Sequence, residues 1–285
     1  MTRDYKIIFT SVGEIVSIPD SQDIFESLCE ILVAMGCREL KAVEEKTDVL
    51  IISCVTPENT VVRPLTPLNF GNRKIKSEDY PMLKKLKKIK YISEDILSYV
   101  SNGDFYIKVI DNLSSGQWDV QSDILVTSHS RINFTLKECI KSVRKIENGL
   151  YVTKSERLLQ TNNSKFQVLL KTNLSNIPEM LCPGTKIDLG LYSVFKIESI
   201  KEFDIVETKK GILISKYCPI DILNEIDIKN SYLRVGIRHG IKYIMEGSVI
   251  KPTRLFAGSF QENVNLRAKL NGRGYLFYKQ IAITS

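Results

Sequence analysis

With 285 residues, 43% of them hydrophobic and 26% charged, the chain is long enough to bury a substantial core, and its composition excludes a disordered or fibrous protein. The formal net charge of +7 is unevenly placed: eight basic residues face Glu78 and Asp79 between Arg73 and Lys90, nine face Glu246 and Glu262 between Arg234 and Lys279, and the remainder is net negative. No run approaches the ~18 apolar residues of a membrane span, and "MTRDYKIIFTSVGE" has no secretory-signal pattern, so the expectation is a cytoplasmic protein with a polyanionic partner and no membrane contact.

In chain order, "YKIIFTSV" (5–12) is a short apolar run that predicts a strand. "SQDIFESLCEILVAMG" (21–36) predicts a helix. Ser21 is the expected cap, Ile24, Leu28, Ile31, Leu32 and Met35 share one face, and Gly36 is the stop. "DVLIISCVTP" (48–57) reads as a strand ended by Pro57, and "VVRPLTPLNFGNRK" after it as loop or edge structure. In "MLKKLKKIKYIS" (82–93), Leu83, Leu86, Ile89 and Ile92 recur every three residues, which predicts a helix with a narrow apolar stripe and a lysine-covered outer face. Such a face is most often simply solvated.

The stretch "NGDFYIKVIDNLSSGQWDVQSD" is rich in turn residues and reads as irregular. "GLYVTKSE" (149–156) and "SKFQVLLKT" (164–172) resemble a pair of strands. "NLSNIPEMLCPG" leaves room for a short helix, and "LYSVFKIESI" (191–200) is another strand pattern. The segments "ILISKYCP", "YLRVGIRHGIKYIMEGSVIKP" and "GRGYLFYKQIAI" are β-rich. The pattern is α+β with antiparallel pairing.

Chemistry is sparsely signalled. The six cysteines (Cys29, Cys37, Cys54, Cys139, Cys182, Cys218) contain no CxxC, and the two histidines are His129 and His239, so neither a structural metal nor a disulfide framework is expected. Cys29, Cys54 and Cys218 lie in apolar runs and read as buried thiols. GxSxG, P-loop and HExxH motifs are missing. A histidine can serve as base or acid against a 2′-hydroxyl, and His239 (in "GIRHGIK") and His129 (in "SHSRIN") are the candidates; contact with a ligand or turn backbone is the plainer reading of both.

Binding is better signalled. "PGTKIDLGLYSVFKI" (183–197) sets Gly184, Lys186 and Gly190 in a loop where glycines allow close backbone approach to phosphates. The C-terminal window places Arg234, Arg238, Lys242, Lys251 and Arg254 among Tyr232, Tyr243, Phe256 and Phe260, a mixture that suits single-stranded RNA and equally suits core aromatics on alternate strand positions.

Taken together and in order, several segments resemble a known family. "IIFTSVGE", "IFESLCEIL", "LIISCVTPENTVVRPLTPL", "KKLKKIKYIS", "HSRINF", "GLYVTKSERL", "GTKIDLGLYSVFKIESI", "GILISKYCP" and the "EGSVIKP" to "NGRGYLFYKQIAI" region are similar to the fourth subunit of the Csm complex, the type III-A CRISPR interference effector of the RAMP superfamily. The glycine loop is depleted, with Leu191 and Tyr192 where another glycine is expected, and the Asp-Arg pair usual near Arg131 is missing.

The resemblance implies two ferredoxin-like (RRM-like) RAMP domains with antiparallel sheets and inserted loops, assigned to 1–205 and 206–285. It implies a non-catalytic subunit that needs no cofactor and holds the 5′ tag of the CRISPR RNA. It would cap one end of the complex and contact a large polymerase-domain subunit and a RAMP backbone subunit. Carried over to this sequence, the RNA-binding candidates are Gly184, Lys186 and Gly190, with Arg131 as a partial match; Arg238, His239, Lys242 and Arg254 are added on charge alone. The rival readings are a metal-independent endoribonuclease that processes CRISPR RNA through His239 or His129, and a protein-only scaffold whose lysine helix meets an acidic partner.

Overall fold

The computed structural model describes residues 2–36, 50–65, 74–97, 105–130, 132, 134–147, 150–174, 176–189, 193–203, 211–219, 221–238, 240–253, 259–263, 268–272 and 276–277. Strand β1 (Arg3–Ser11) and helix α1 (Ser21–Ala34) open the chain, followed by short strands β2 (Leu50–Ile52), β3 (Thr56–Pro57) and β4 (Thr60–Val62). Next come α2 (Tyr80–Lys88), β5 (Tyr91–Ser93), α3 (Phe105–Ser114), β6 (Trp118–Gln121) and β7 (Ile124–Thr127). Two long strands, β8 (Lys137–Glu147) and β9 (Leu150–Gln160), precede β10 (Lys165–Thr172), α4 (Ile177–Met180), β11 (Lys186–Asp188) and β12 (Val194–Glu202). The last part holds β13 (Gly211–Leu213), α5 (Ile222–Glu225), β14 (Val235–Arg238), β15 (Ile241–Ile244), β16 (Val249–Ile250), β17 (Ser259–Asn263), β18 (Ala268–Gly272) and β19 (Leu276–Phe277).

β1 is apolar because consecutive residues on both its faces are buried (Ile7, Ile8 and Phe9); it pairs with β10 and β12 in a sheet ordered β11-β12-β1-β10-β2 with β3 also on β10. Every pair in it is antiparallel. In chain order its main elements run β1, α1, β2, β10, α4, β12, a β-α-β-β-α-β succession interrupted by a long insertion between β2 and β10. One core lies between α1 and this sheet: Ile24, Leu28 and Leu32 meet Ile7, Phe9, Phe166 and Phe195. The three phenylalanine rings pack with centroids 5.2–5.9 Å apart, two of the contacts edge-to-face.

The α1 cap is Asp20 rather than Ser21. Its carboxylate accepts from the Gln22 and Asp23 amides, and the Asp23 side chain accepts from the Asp20 amide in return. Met35 falls beyond the helix and is exposed, and Gly36 follows with φ of 83°.

The insertion builds a smaller sheet ordered β4-β5-β7-β6, in which β5 and β7 are the one described parallel pair. Parallel neighbours need a crossover, and α3 supplies it. The stretch expected to be irregular therefore contains a helix, which buries Phe105, Tyr106, Val109, Ile110 and Leu113 along one face. The lysine helix is shorter than its repeat implied. α2 stops at Lys88, Ile89 is its extended C-cap, and Ile92 lies in β5, so one apolar stripe serves two elements of the same core.

β13 joins this core to a third one: Ile212 and Ile214 enter the α2–α3 cluster, while Leu213 packs with Tyr217, Ile226, Ile244 and Ile250. The run 48–57 is not one strand but two, because Ser53 bonds Leu169 and Cys54 donates to the Ile214 carbonyl between them. "GLYVTKSE" and "SKFQVLLKT" do form strands, but not with each other: β9 pairs with β8, and β10 with β1 and β2. Among the described residues no helix is long and apolar enough to cross a membrane.

Candidate nucleic-acid interface

The loop expected to hold phosphate begins after α4. Gly184 has φ of 96°, a conformation that suits glycine, and open space surrounds the place a Cβ would take. Its amide donates to the Ile197 carbonyl at 2.8 Å, and the Thr185 amide donates to the Cys182 carbonyl at 3.1 Å. The first of these N–H groups extends the β11–β12 pairing and the second closes the turn that precedes β11, so neither faces a ligand. Lys186 heads β11, exposed and opposite Lys196. The Leu189 amide donates to the Ser193 carbonyl at 3.0 Å and closes the base of the hairpin tip. Gly190, with Leu191 and Tyr192, lies outside the described residues.

The other candidates do not converge. Arg131, His239 and Arg254 lie outside the described residues, as do Cys37 and Phe256. Lys242 is exposed on β15 opposite Ile237. Arg238 turns inward: one terminal nitrogen pairs with Asp20 and the other donates to Asp23 at 3.0 Å. Beside it, Lys216 is buried with its ammonium 2.9 Å from Asp20 Oδ2 and 3.4 Å from Glu246 Oε1, and 5.6 Å from the centre of the Tyr243 ring.

Burial opposes ionisation across this cluster, but the opposite charges outweigh it. Lys216 and then Arg238 hold the Asp20 carboxyl below its ordinary value. Glu246 and Asp20 hold Lys216 above its own, and Asp23 and Asp20 do the same for Arg238. The Tyr243 ring packs over Gly236, 2.8 Å from the place a Cβ would take. Arg238, read as an RNA contact, and Tyr243, for which both readings were open, thus belong to a half-buried joint around Lys216, between the start of α1 and the β14–β15 hairpin.

Of the cysteines, Cys54 and Cys218 are buried, Cys29 is half-buried and Cys182 is exposed. Burial pushes the Cys54 and Cys218 thiols up, Cys218 to about 11. The described residues contain no group of three or more potential metal ligands.

A long, exposed element carries none of the candidate residues, although its second strand was read from the sequence. β8 and β9 pair over all eleven residues of each, from Lys137 opposite Gln160 to Glu147 opposite Leu150, and among the described residues they join no larger sheet. At ~3.4 Å per residue the ribbon extends roughly 35 Å. Its root is anchored. Leu158 is buried, Leu159 exchanges backbone bonds with Ile15 at 2.7 and 3.0 Å, and Lys141 pairs with Glu14 at 2.5 Å.

Cross-strand partners share a face of a ribbon. One face of this arm therefore carries Ile140 with Arg157, Arg144 with Thr153, and Ile146 with Tyr151. All six are exposed, Tyr151 by 80%. A two-stranded ribbon is marginal alone in water. The sequence pair Asn148-Gly149, of the kind favoured in two-residue hairpin loops, was the available sequence signal.

No family model matches the chain, and no curated protein matches it. Solved structures do. A Csm1–Csm4 cassette in complex with pppApA contains a chain that aligns with TM-score 0.55 at 16% identity, over 96% of this chain and 97% of that one. The cassette in complex with AMPPNP gives 0.56 at 15%, with the same coverage. A Csm3–Csm4 subcomplex of the type III-A CRISPR-Cas interference complex gives 0.56 at 14%, over 95% and 98%. Csm4 is the component these structures share. The chain has a Csm4-like fold. At this identity the likeness concerns the path of the backbone, and it bears out the resemblance read from the sequence at that level. The α+β architecture with mainly antiparallel sheets agrees with it.

Proposed function

We propose that the chain is the Csm4-type subunit of a type III CRISPR interference complex: a non-catalytic protein that binds CRISPR RNA at its 5′ tag, caps that end, and docks a large polymerase-domain subunit and a RAMP backbone subunit. Likeness of fold over nearly the whole length, to chains crystallised with Csm1 and with Csm3, supports the assembly role. The observation that carries the RNA role is the β8–β9 arm, where Arg144 and Arg157 alternate with Ile140, Ile146 and Tyr151 on one exposed face. Guanidinium groups pair with phosphates while apolar and aromatic side chains meet unstacked bases. Lys186 and Lys242, both exposed, and Arg131, Gly190, His239 and Arg254 are the further contacts of this reading. We take the β-α-β-β-α-β sheet as the first of two ferredoxin-like units (1–205) and the remainder (206–285) as the second.

The endoribonuclease alternative needs a histidine held for proton transfer. His129 is exposed in a turn and has no hydrogen bond or ion pair among the described residues. The test is titration of the full chain with a labelled 5′-tag RNA at several salt concentrations. Expected are a log-log slope of about −0.7 per phosphate neutralised, intact RNA recovered in EDTA, and at least a tenfold loss of affinity in Arg144→Glu/Arg157→Glu. Affinity that is flat across salt, or RNA cleavage lost in His129→Ala or His239→Ala, would sink the proposal.

A further inference from the structure

The lysine helix is left unexplained by that reading. On α2, Lys84, Lys85, Lys87 and Lys88 are all exposed, and Lys74, Lys76 and Lys90 extend the charge to either side. A solvated helix face usually intersperses carboxylates at three- or four-residue spacing, where they gain a few tenths of a kcal/mol per pair. None of these four lysines has one. Their neighbours at that spacing are other lysines (Lys84 with Lys87 and Lys88, Lys85 with Lys88, Lys87 with Lys90) or uncharged residues. Among the described residues Lys90 alone of the seven forms an ion pair, with Asp123 at 3.1 Å.

The cationic last turn suits the helix dipole. The end carbonyl of Leu86, however, already accepts from Arg63 Nη1 at 2.7 Å, so the lysines are not needed to satisfy it. The helix is held from beneath by Leu86 and Ile89, which leaves its outer face unobstructed by the core. At its start Tyr80 is 59% exposed and lies one turn before Lys84 and two before Lys88 on the same side.

We infer that this face of α2 is a second nucleic-acid site: a sequence-independent track for the phosphate backbone of a single strand, with Tyr80 as a base platform at one end. Lys84 and Lys88 stand about 6 Å apart along the axis and Lys84 and Lys87 about 4.5 Å, within the reach of flexible ammonium groups for successive phosphates. A bound polyanion relieves the lysine–lysine repulsion that the helix otherwise carries. The inference stands on α2 alone and does not depend on the arm or on the tag-binding reading.

The test uses the full chain and a fluorescein-labelled oligouridine of about 20 nucleotides, unrelated to any repeat, titrated from about 50 to 300 mM salt. Lys84→Glu/Lys85→Glu/Lys87→Glu/Lys88→Glu is expected to bind at least tenfold more weakly, with a log-log slope shallower by about 2–3, while still unfolding cooperatively in urea at a midpoint lowered only by the helix-dipole cost of carboxylates in the last turn. Tyr80→Ala is expected to lose at least about fivefold with the slope unchanged. The same lysine dependence in Arg144→Glu/Arg157→Glu separates this site from the arm. Parental affinity and slope in the quadruple variant overturn the inference. So does a Tyr80→Ala chain that binds oligouridine as the parent does while poly-glutamate shows the full lysine dependence, because the surface then faces an acidic protein.

Discussion

Lys216→Met is the sharpest perturbation the fold offers, because it deletes one charge from the joint between α1 and the C-terminal strands at nearly constant side-chain volume. The Lys216 side chain is 4% exposed, against 37% for Asp20 and 16% for Glu246. At 2.9 and 3.4 Å, and with an effective dielectric near 20, its two attractions are about 6 and about 5 kcal/mol. Most of that is offset by the several kcal/mol needed to bring the ammonium out of water.

The loss on removal comes from what is left behind. Asp20 keeps Arg238, but Glu246 is left with the Ser21 hydroxyl at 3.3 Å. Breaking a buried pair from one side costs about 3–5 kcal/mol, and the remaining partners put the expected value near about 3 kcal/mol. Urea unfolding of the full chain, followed by tryptophan fluorescence of Trp118 and by circular dichroism, should show a midpoint lowered by that amount at an unchanged slope. Adding Glu246→Gln should recover part of the loss, because it removes the orphaned charge. A loss below about 1 kcal/mol, or a double variant less stable than the single one, would refute the reasoning: the carboxylates would then be adequately solvated without the lysine.

Three other outcomes follow from the same geometry. Arg238→Ala should lower stability by about 1–2 kcal/mol, reduced by its partial exposure, and leave the salt dependence of RNA binding untouched, whereas Lys242→Ala should do the reverse; paired titrations and urea melts distinguish them. Because the Asp20 carboxyl is held below its unfolded value near 3.8, its contribution is complete above that pH and is lost as pH falls through the lower folded value; an acid titration of Asp20→Asn should therefore lack that portion of the decline, while the raised Lys216 contributes fully until pH rises past the ordinary lysine range. Phe166→Ala should cost about 3–5 kcal/mol, since it removes the ring that Phe9, Phe134 and Phe195 all touch; a loss under about 2 kcal/mol by urea melt would mean that the core collapses to fill the space.

Elements whose pattern is local were legible in the residues alone. β1, α1 and β12 read correctly because each buries a continuous apolar face, and a buried face leaves a period of two or of 3.6 in the residues. The short α4 was legible from the room its segment allowed. α3 was not, although its apolar residues have helical spacing, because turn residues flank it closely on both sides. β8 was missed for the opposite reason: its described side chains are exposed or half-buried, so burial imposed no alternation on them. The lysine repeat concealed a helix end, since Ile89 and Ile92 enter the same core as Leu86 from a different backbone conformation.

For the candidate site the division is sharper. Segregated positive charge was visible in composition, but which cations face outward was not. Arg238 and Lys216 turn inward because Asp20 and Asp23, some two hundred residues earlier, are waiting at the start of α1. Lys84 to Lys88 stay exposed because nothing acidic is brought to them among the described residues. Charge is written in the sequence, but its neutralisation is a property of long-range neighbours, and only the tertiary fold supplies those.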